Sequence, residues 1–127
     1  MSKVEKLWVT EAGFTAVVLI MPWGVRNGYV AVPRDHRHYG KGYDDIEAAV
    51  HGGLTYAGDD TKAYPTELSG VWWFGFDCHH YGDSQDIALM DDSHKQTVEK
   101  YGIYDKGLAR SLAYVEYECE KLAEQLK

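Results

Sequence analysis

Residues 15–33 read T-A-V-V-L-I-M-P-W-G-V-R-N-G-Y-V-A-V-P. Thr15 to Met21 is an almost wholly apolar run with several β-branched residues, and its length fits a strand covered on both faces better than a helix. Pro22 and Gly24 punctuate the run, and Asn27-Gly28 is the favoured two-residue hairpin turn. Gly28 to Pro33 then reads as the returning strand. A β-hairpin over 14–33 is therefore the centre of the predicted fold.

Downstream of the hairpin, residues 34–45 carry charge, Gly and Tyr and read as a loop. Ile46 to Val50 fits a helical turn or a strand, His51-Gly52-Gly53 breaks it, and Leu54 to Ala57 resumes as strand. A polar loop containing Pro65 runs to Gly70. Val71 to Cys78, V-W-W-F-G-F-D-C, is the most strand-like segment of the chain. Alternation puts Val71, Trp73, Gly75 and Asp77 on one face, and Trp72, Phe74, Phe76 and Cys78 on the other. Residues 79–106 read as irregular, a length at which loops are functional or contain short helices. At the end, Leu108, Leu112, Val115, Cys119, Leu122 and Leu126 recur at steps of three and four, which makes a continuous helical stripe. Glu120, Lys121 and Glu124 fall on the opposite side, and Glu116 and Glu118 flank the stripe. The fold class is α+β: an antiparallel sheet of four or five strands packed against a long C-terminal helix, in one domain spanning 1–127.

The composition bounds the function. A chain of 127 residues that is 45% hydrophobic can bury a proper core. A net charge of -7 argues against broad, sequence-blind nucleic-acid binding, which needs a basic face. Basic residues concentrate instead at 34–41, R-D-H-R-H-Y-G-K. Cys78 and Cys119 are far apart and form no CxxC, so two reduced thiols are expected, as in a cytoplasmic protein. The longest apolar stretch, Phe14 to Trp23, is too short to span a bilayer.

Three groups of residues could carry chemistry. In H-G-G-L-T, residues 51–55, the glycines allow close backbone approach, and N–H groups near Gly52, Gly53 and Thr55 could cradle an anion. The structural alternative is a tight turn with a hydrogen-bonded His51. In D-C-H-H-Y-G-D, residues 77–83, Asp77, His80 and Asp83 could bind a divalent metal together with His51, although the spacing is that of no strong metal motif. The alternative there is that Asp77 accepts hydrogen bonds from the turn and orients His80. In the basic loop, Arg34, His36, Arg37, His38 and Lys41 interleave with Tyr39 and Tyr43, a mixture suited to phosphate and base contacts on a nucleotide. Arg26 is a further candidate for that surface, and a solvated loop is the plainer reading. Neither GxSxG nor a P-loop is present. Cys78 beside two histidines falls on the aromatic face and reads as a buried structural thiol.

The segments H-G-G-L-T-Y at 51–56 and W-W-F-G-F-D-C-x-H-x-G-D at 72–83 resemble a small family of proteins encoded by bacteriophages and prophages. The resemblance continues through G-Y-V-A-V-P-R-D-H at 28–36 and A-Y-V-E-Y-E-C-E-K-L-A-E-Q-L at 113–126, so it covers most of the chain from about residue 26 onward. In that pattern a small residue precedes the final His of D-C-x-H, where this chain has His79, which favours His80 as the shared position. Asn27 and Arg37 stand where the pattern has Cys and Pro. The resemblance implies a phage origin and a bacterial host cytoplasm, and supplies no established activity.

Three functions follow as expectations. The first is a homo-oligomeric protein that captures a small anionic ligand, a nucleotide-type host immune signal, in an anti-defence role. His51, Gly52, Gly53, Thr55, His36, Asp77 and His80 would line its site, Arg26, Arg34 or Arg37 would neutralise charge, and Trp73 or a nearby Tyr would stack on a base. The second is a metal-dependent hydrolase of a nucleotide or phosphodiester, with a divalent ion on His51, Asp77, His80 and Asp83. The third is an inhibitor that binds a host protein through an acidic surface.

Overall fold

A computed structural model describes residues 2–59, 70–102 and 107–127. In chain order the elements are strands β1 (Lys3–Val9), β2 (Thr15–Ile20), β3 (Arg26–Pro33), β4 (Tyr56–Gly58) and β5 (Val71–Asp77), then helices α1 (Asp92–Tyr101) and α2 (Leu112–Leu126). Short 3-10 turns lie at Tyr43–Asp45 and Ile87–Leu89. The strands form one antiparallel sheet in the order β1-β2-β3-β5-β4. The polar loop with Pro65 falls largely on 60–69, outside the described residues.

The apolar run of β2 is covered on both faces, as its sequence demands. Ala16, Val17, Val18 and Leu19 are all buried. Ala16 and Val18 share one face with Val30, Val32, Phe74, Phe76 and Cys78, and α2 packs there through Val115, Cys119, Leu122, Ala123 and Leu126. Val17 and Leu19 share the other face with Tyr29, Ala31 and Trp73. The alternation read for β5 therefore holds: Trp72, Phe74, Phe76 and Cys78 face α2, and Val71 and Trp73 face away.

The hairpin is present, but its turn is not at Asn27-Gly28. The chain reverses over Pro22, Trp23 and Gly24: Met21 N–H donates to Val25 O at 2.8 Å, and Gly24 N–H donates to Met21 O at 2.9 Å. Proline sets φ at the first loop position, and Gly24 takes the positive φ (+87°) that closes a three-residue loop. Asn27 and Gly28 lie inside β3, paired with Leu19 and Val18 on one side and with Asp77 and Phe76 on the other. Gly28 is needed there for space. A Cβ would sit 2.5 Å from Phe76 Cζ and 2.7 Å from Cys119 Sγ, so the glycine lets α2 settle onto the sheet.

Three further elements differ from the sequence reading. β1 is an edge strand with an irregularity at Glu5, between Val4 and Lys6. The extra residue puts Val4, Leu7 and Val9 opposite Leu19, Val17 and Thr15, whereas Lys6 and Trp8 face α2 and bind Glu116 (2.7 Å) and Glu120 (3.1 Å). Helix α1 occupies part of the stretch read as irregular. Asp91 caps it by accepting from His94 N–H, Gly102 ends it in a left-handed conformation, and it buries no residue, so no apolar stripe marks it. Helix α2 begins later than the stripe suggests. The Ser111 hydroxyl accepts from Tyr114 N–H and caps it, which leaves Leu108 outside and 61% exposed. Glu118, read as flanking, is buried, and Glu120 accepts from Trp8 and the Glu11 N–H rather than facing open solvent. No helix among the described residues is long and apolar enough to cross a membrane.

Candidate functional site

Beyond β5 the chain makes a tight turn whose centre is Asp83. Asp83 N–H donates to His80 O, and His80 N–H donates back to Asp83 Oδ2, both at 2.9 Å. The Asp83 side chain is 1% exposed. Its Oδ2 also accepts from His51 Nε2 at 2.8 Å, and its Oδ1 accepts from Arg110 Nε at 2.8 Å. Burial pushes the carboxyl up, but the hydrogen bonds from His51, the His80 backbone and Arg110 outweigh it and hold the group below the usual carboxylate range.

The partners fix the proton positions on His51. Nε2 faces an ionised carboxylate and so carries hydrogen. In the neutral ring, Nδ1 is then the acceptor for the Tyr114 hydroxyl, 2.7 Å away. Burial, with Glu118 nearby, pushes the Tyr114 phenol up and keeps it a donor. The Arg110 guanidinium lies over the Tyr114 ring at 5.1 Å. The His51 backbone N–H donates to the buried Glu118 at 2.7 Å, and Lys121 Nζ lies 3.0 Å from the other Glu118 oxygen. Sequence reasoning missed Arg110, Tyr114 and Glu118. Tyr114 and Glu118, four residues apart, fall on one side of α2, whereas Arg110 precedes its cap at Ser111.

His80 belongs to the same neighbourhood. Its ring centroid is 5.9 Å from that of His51. It lies flat against Gly52, where a Cβ would come within 2.2 Å of His80 Cδ2. Gly52 also adopts φ +66°, so two separate constraints demand glycine. His80 Nε2 is 3.0 Å from Asp77 Oδ1, but not in line for a hydrogen bond. Asp77 Oδ1 accepts from His79 N–H at 3.0 Å.

The four proposed metal ligands are thus neighbours without sharing a centre. Both nitrogens of His51 and both oxygens of Asp83 are engaged by protein groups, one of them a guanidinium. Among the described residues, no three His, Cys, Asp or Glu side chains converge where an ion could sit. Three of the N–H groups of the anion cradle expected at 51–55 are also engaged. The N–H groups of His51, Gly53 and Thr55 donate to Glu118, to Val50 O and to Gly75 O.

Other candidate residues serve the fold. Arg26 makes a two-pronged ion pair with Glu5 (2.6 and 3.0 Å) and donates to Arg110 O at 2.9 Å. Trp73 is 2% exposed and presents no ring face for stacking. His36 accepts at Nδ1 from His38 N–H (3.0 Å), so Nε2 donates to Leu126 O at 2.6 Å. With Arg37, which donates to Lys127 O at 3.0 Å, it satisfies carbonyls at the end of α2.

These bonds pin the basic loop in place. Trp72 Nε1 donates to Lys41 O at 2.9 Å, and Tyr39 packs on the Trp72 ring at 5.7 Å. The exposed Arg34 guanidinium lies 5.8 Å over the Tyr39 ring. Arg34 and Lys41 make no ion pair with any carboxylate among the described residues. Surface grooves of about 380 Å³ lie elsewhere, one beside Tyr117 and Lys121, another beside Leu89 and Lys95. No protein-family model, no curated protein and no solved structure matches the chain significantly.

Proposed function

We propose that this chain binds a small phosphate-bearing ligand, and that the loop of residues 34–41 is its binding face. One observation carries the reading: Arg34 and Lys41 are exposed cations without a carboxylate partner among the described residues, on a loop tied down by hydrogen bonds at His36 and Trp72, in a chain of net charge -7. An acidic protein that keeps positive charge unneutralised on an ordered loop presents a local anion site. The resemblance to phage-encoded proteins supports capture of a host signal, in an anti-defence role, over turnover of a substrate.

The hydrolase reading draws on the His51–Asp83 pair, and finds less support. A base must offer a nitrogen to substrate or water, and both nitrogens of His51 are already bonded. The His51 group is better read as a clasp that ties the 50–53 turn, the 80–83 turn and the start of α2 together.

Native mass spectrometry of the purified protein, alone and with inorganic pyrophosphate, tripolyphosphate and ribose 5-phosphate, tests the binding reading. Retained or added phosphate compounds at micromolar concentration, lost in Arg34→Glu/Lys41→Glu, are expected. Binding that survives the charge reversal would move the site off the loop.

A further inference from the structure

We infer that the ligand of the 34–41 loop carries an aromatic base, which lies on the guanidinium of Arg34; this rests on the binding reading above and narrows it from any phosphate ester to a nucleotide. Arg34 is the outer layer of a packed series. Its guanidinium covers the Tyr39 ring at 5.8 Å, and Tyr39 packs in turn on Trp72 at 5.7 Å. Trp72 is anchored by its own hydrogen bond to Lys41 O. A guanidinium backed by an aromatic ring keeps its plane, because rotation would lose the contact. A plane held in that way offers a second, outward face for another flat ring, and its N–H edge remains for phosphate.

Arg34 is exposed. Gly70 runs beside Arg34, where a Cβ would make ordinary contact with Nη2 at 3.6 Å. Gly70 also adopts φ +79°, which disfavours any other residue. Lys41, exposed on the same loop, supplies charge for the phosphates without the planarity that stacking needs. The guanidinium is backed by one aromatic ring, Tyr39, which is itself tilted at 53° against Trp72.

The test compares ATP, GTP and UTP with inorganic tripolyphosphate by isothermal titration, in wild type and in Arg34→Lys, which keeps the charge and removes the plane. At least one nucleotide is expected to bind wild type about tenfold more tightly than tripolyphosphate and to lose about that factor in Arg34→Lys, whereas tripolyphosphate changes less than twofold. Tyr39→Leu is expected to act on nucleotides in the same direction. If tripolyphosphate binds wild type as tightly as every nucleotide, and Arg34→Lys shifts all of them alike, the base is overturned and the anion site stands. If neither class binds at millimolar concentration, the binding reading falls, and this inference with it.

Discussion

Nε2 of His51 lies 2.8 Å from Oδ2 of Asp83, across 32 residues of sequence. That contact joins the two segments that the chain's polar motifs mark out, and Arg110 closes it from the start of α2. Removing the carboxylate leaves a part-buried imidazole N–H and a guanidinium without their acceptor. Asp83→Ala is expected to cost about 3 kcal/mol in urea unfolding. A change below about 0.5 kcal/mol would show that the clasp contributes no stability.

The same carboxylate sets an acid limb. Its folded-state value is held below the usual range, so its contribution is complete above the unfolded value of about 3.9. The contribution is lost as pH falls through the lower folded value. The stability gap between wild type and Asp83→Asn should therefore be constant from pH 7 to about pH 5 and close below about pH 4. Urea midpoints measured across that range check it, and a gap that does not narrow on acidification would contradict the assignment.

Gly52 and His80 form a coupled pair. Gly52→Ala must place a methyl where the His80 ring lies, in a residue at φ +66°. A loss of about 3 kcal/mol is expected, of which about 1–2 kcal/mol is the backbone conformation. Adding His80→Ala should recover the steric part and leave the backbone part, which a double-mutant cycle resolves. Full additivity would mean that the ring does not occupy that space.

Much of the fold was legible, for physical reasons that can be named. The run Thr15–Met21 could be read because burial on both faces leaves no polar position in a strand, and the α2 stripe could be read because Val115, Cys119, Leu122 and Leu126 repeat at helical spacing. The turn was misplaced because Asn27-Gly28 has the composition of a hairpin loop, whereas Gly28 serves the approach of α2. β1 was missed because the irregularity at Glu5 breaks its alternation, and α1 because it buries nothing. At the site, His51, Asp77, His80 and Asp83 lie near one another, since turn residues at strand ends meet in space. Whether Arg26 and His36 face a ligand or the fold could not be read locally, because their partners Glu5 and Leu126 lie 21 and 90 residues away.

Both cysteines are structural. Burial pushes the Cys78 thiol up to about 12, and pushes Cys119 up as well. Neither should react with a disulfide reagent at pH 8 in the native protein, and both should react in urea. Rapid native labelling of Cys78 would reopen a nucleophilic role for it.

Arg26 separates folding from binding. Its two-pronged pair with Glu5 is part-buried, so Arg26→Ala should cost about 1–2 kcal/mol. Ligand affinity, measured on the folded fraction, should stay within twofold. A tenfold loss of affinity would return Arg26 to the binding face.

The most direct measurement is titration of a nucleoside triphosphate panel into wild type and into Arg34→Glu/Lys41→Glu, at 50 and 300 mM salt. The account predicts micromolar binding to wild type for at least one compound, weakening with salt, and at least a tenfold loss on charge reversal. Equal affinity in both proteins, or no binding to either, would contradict it.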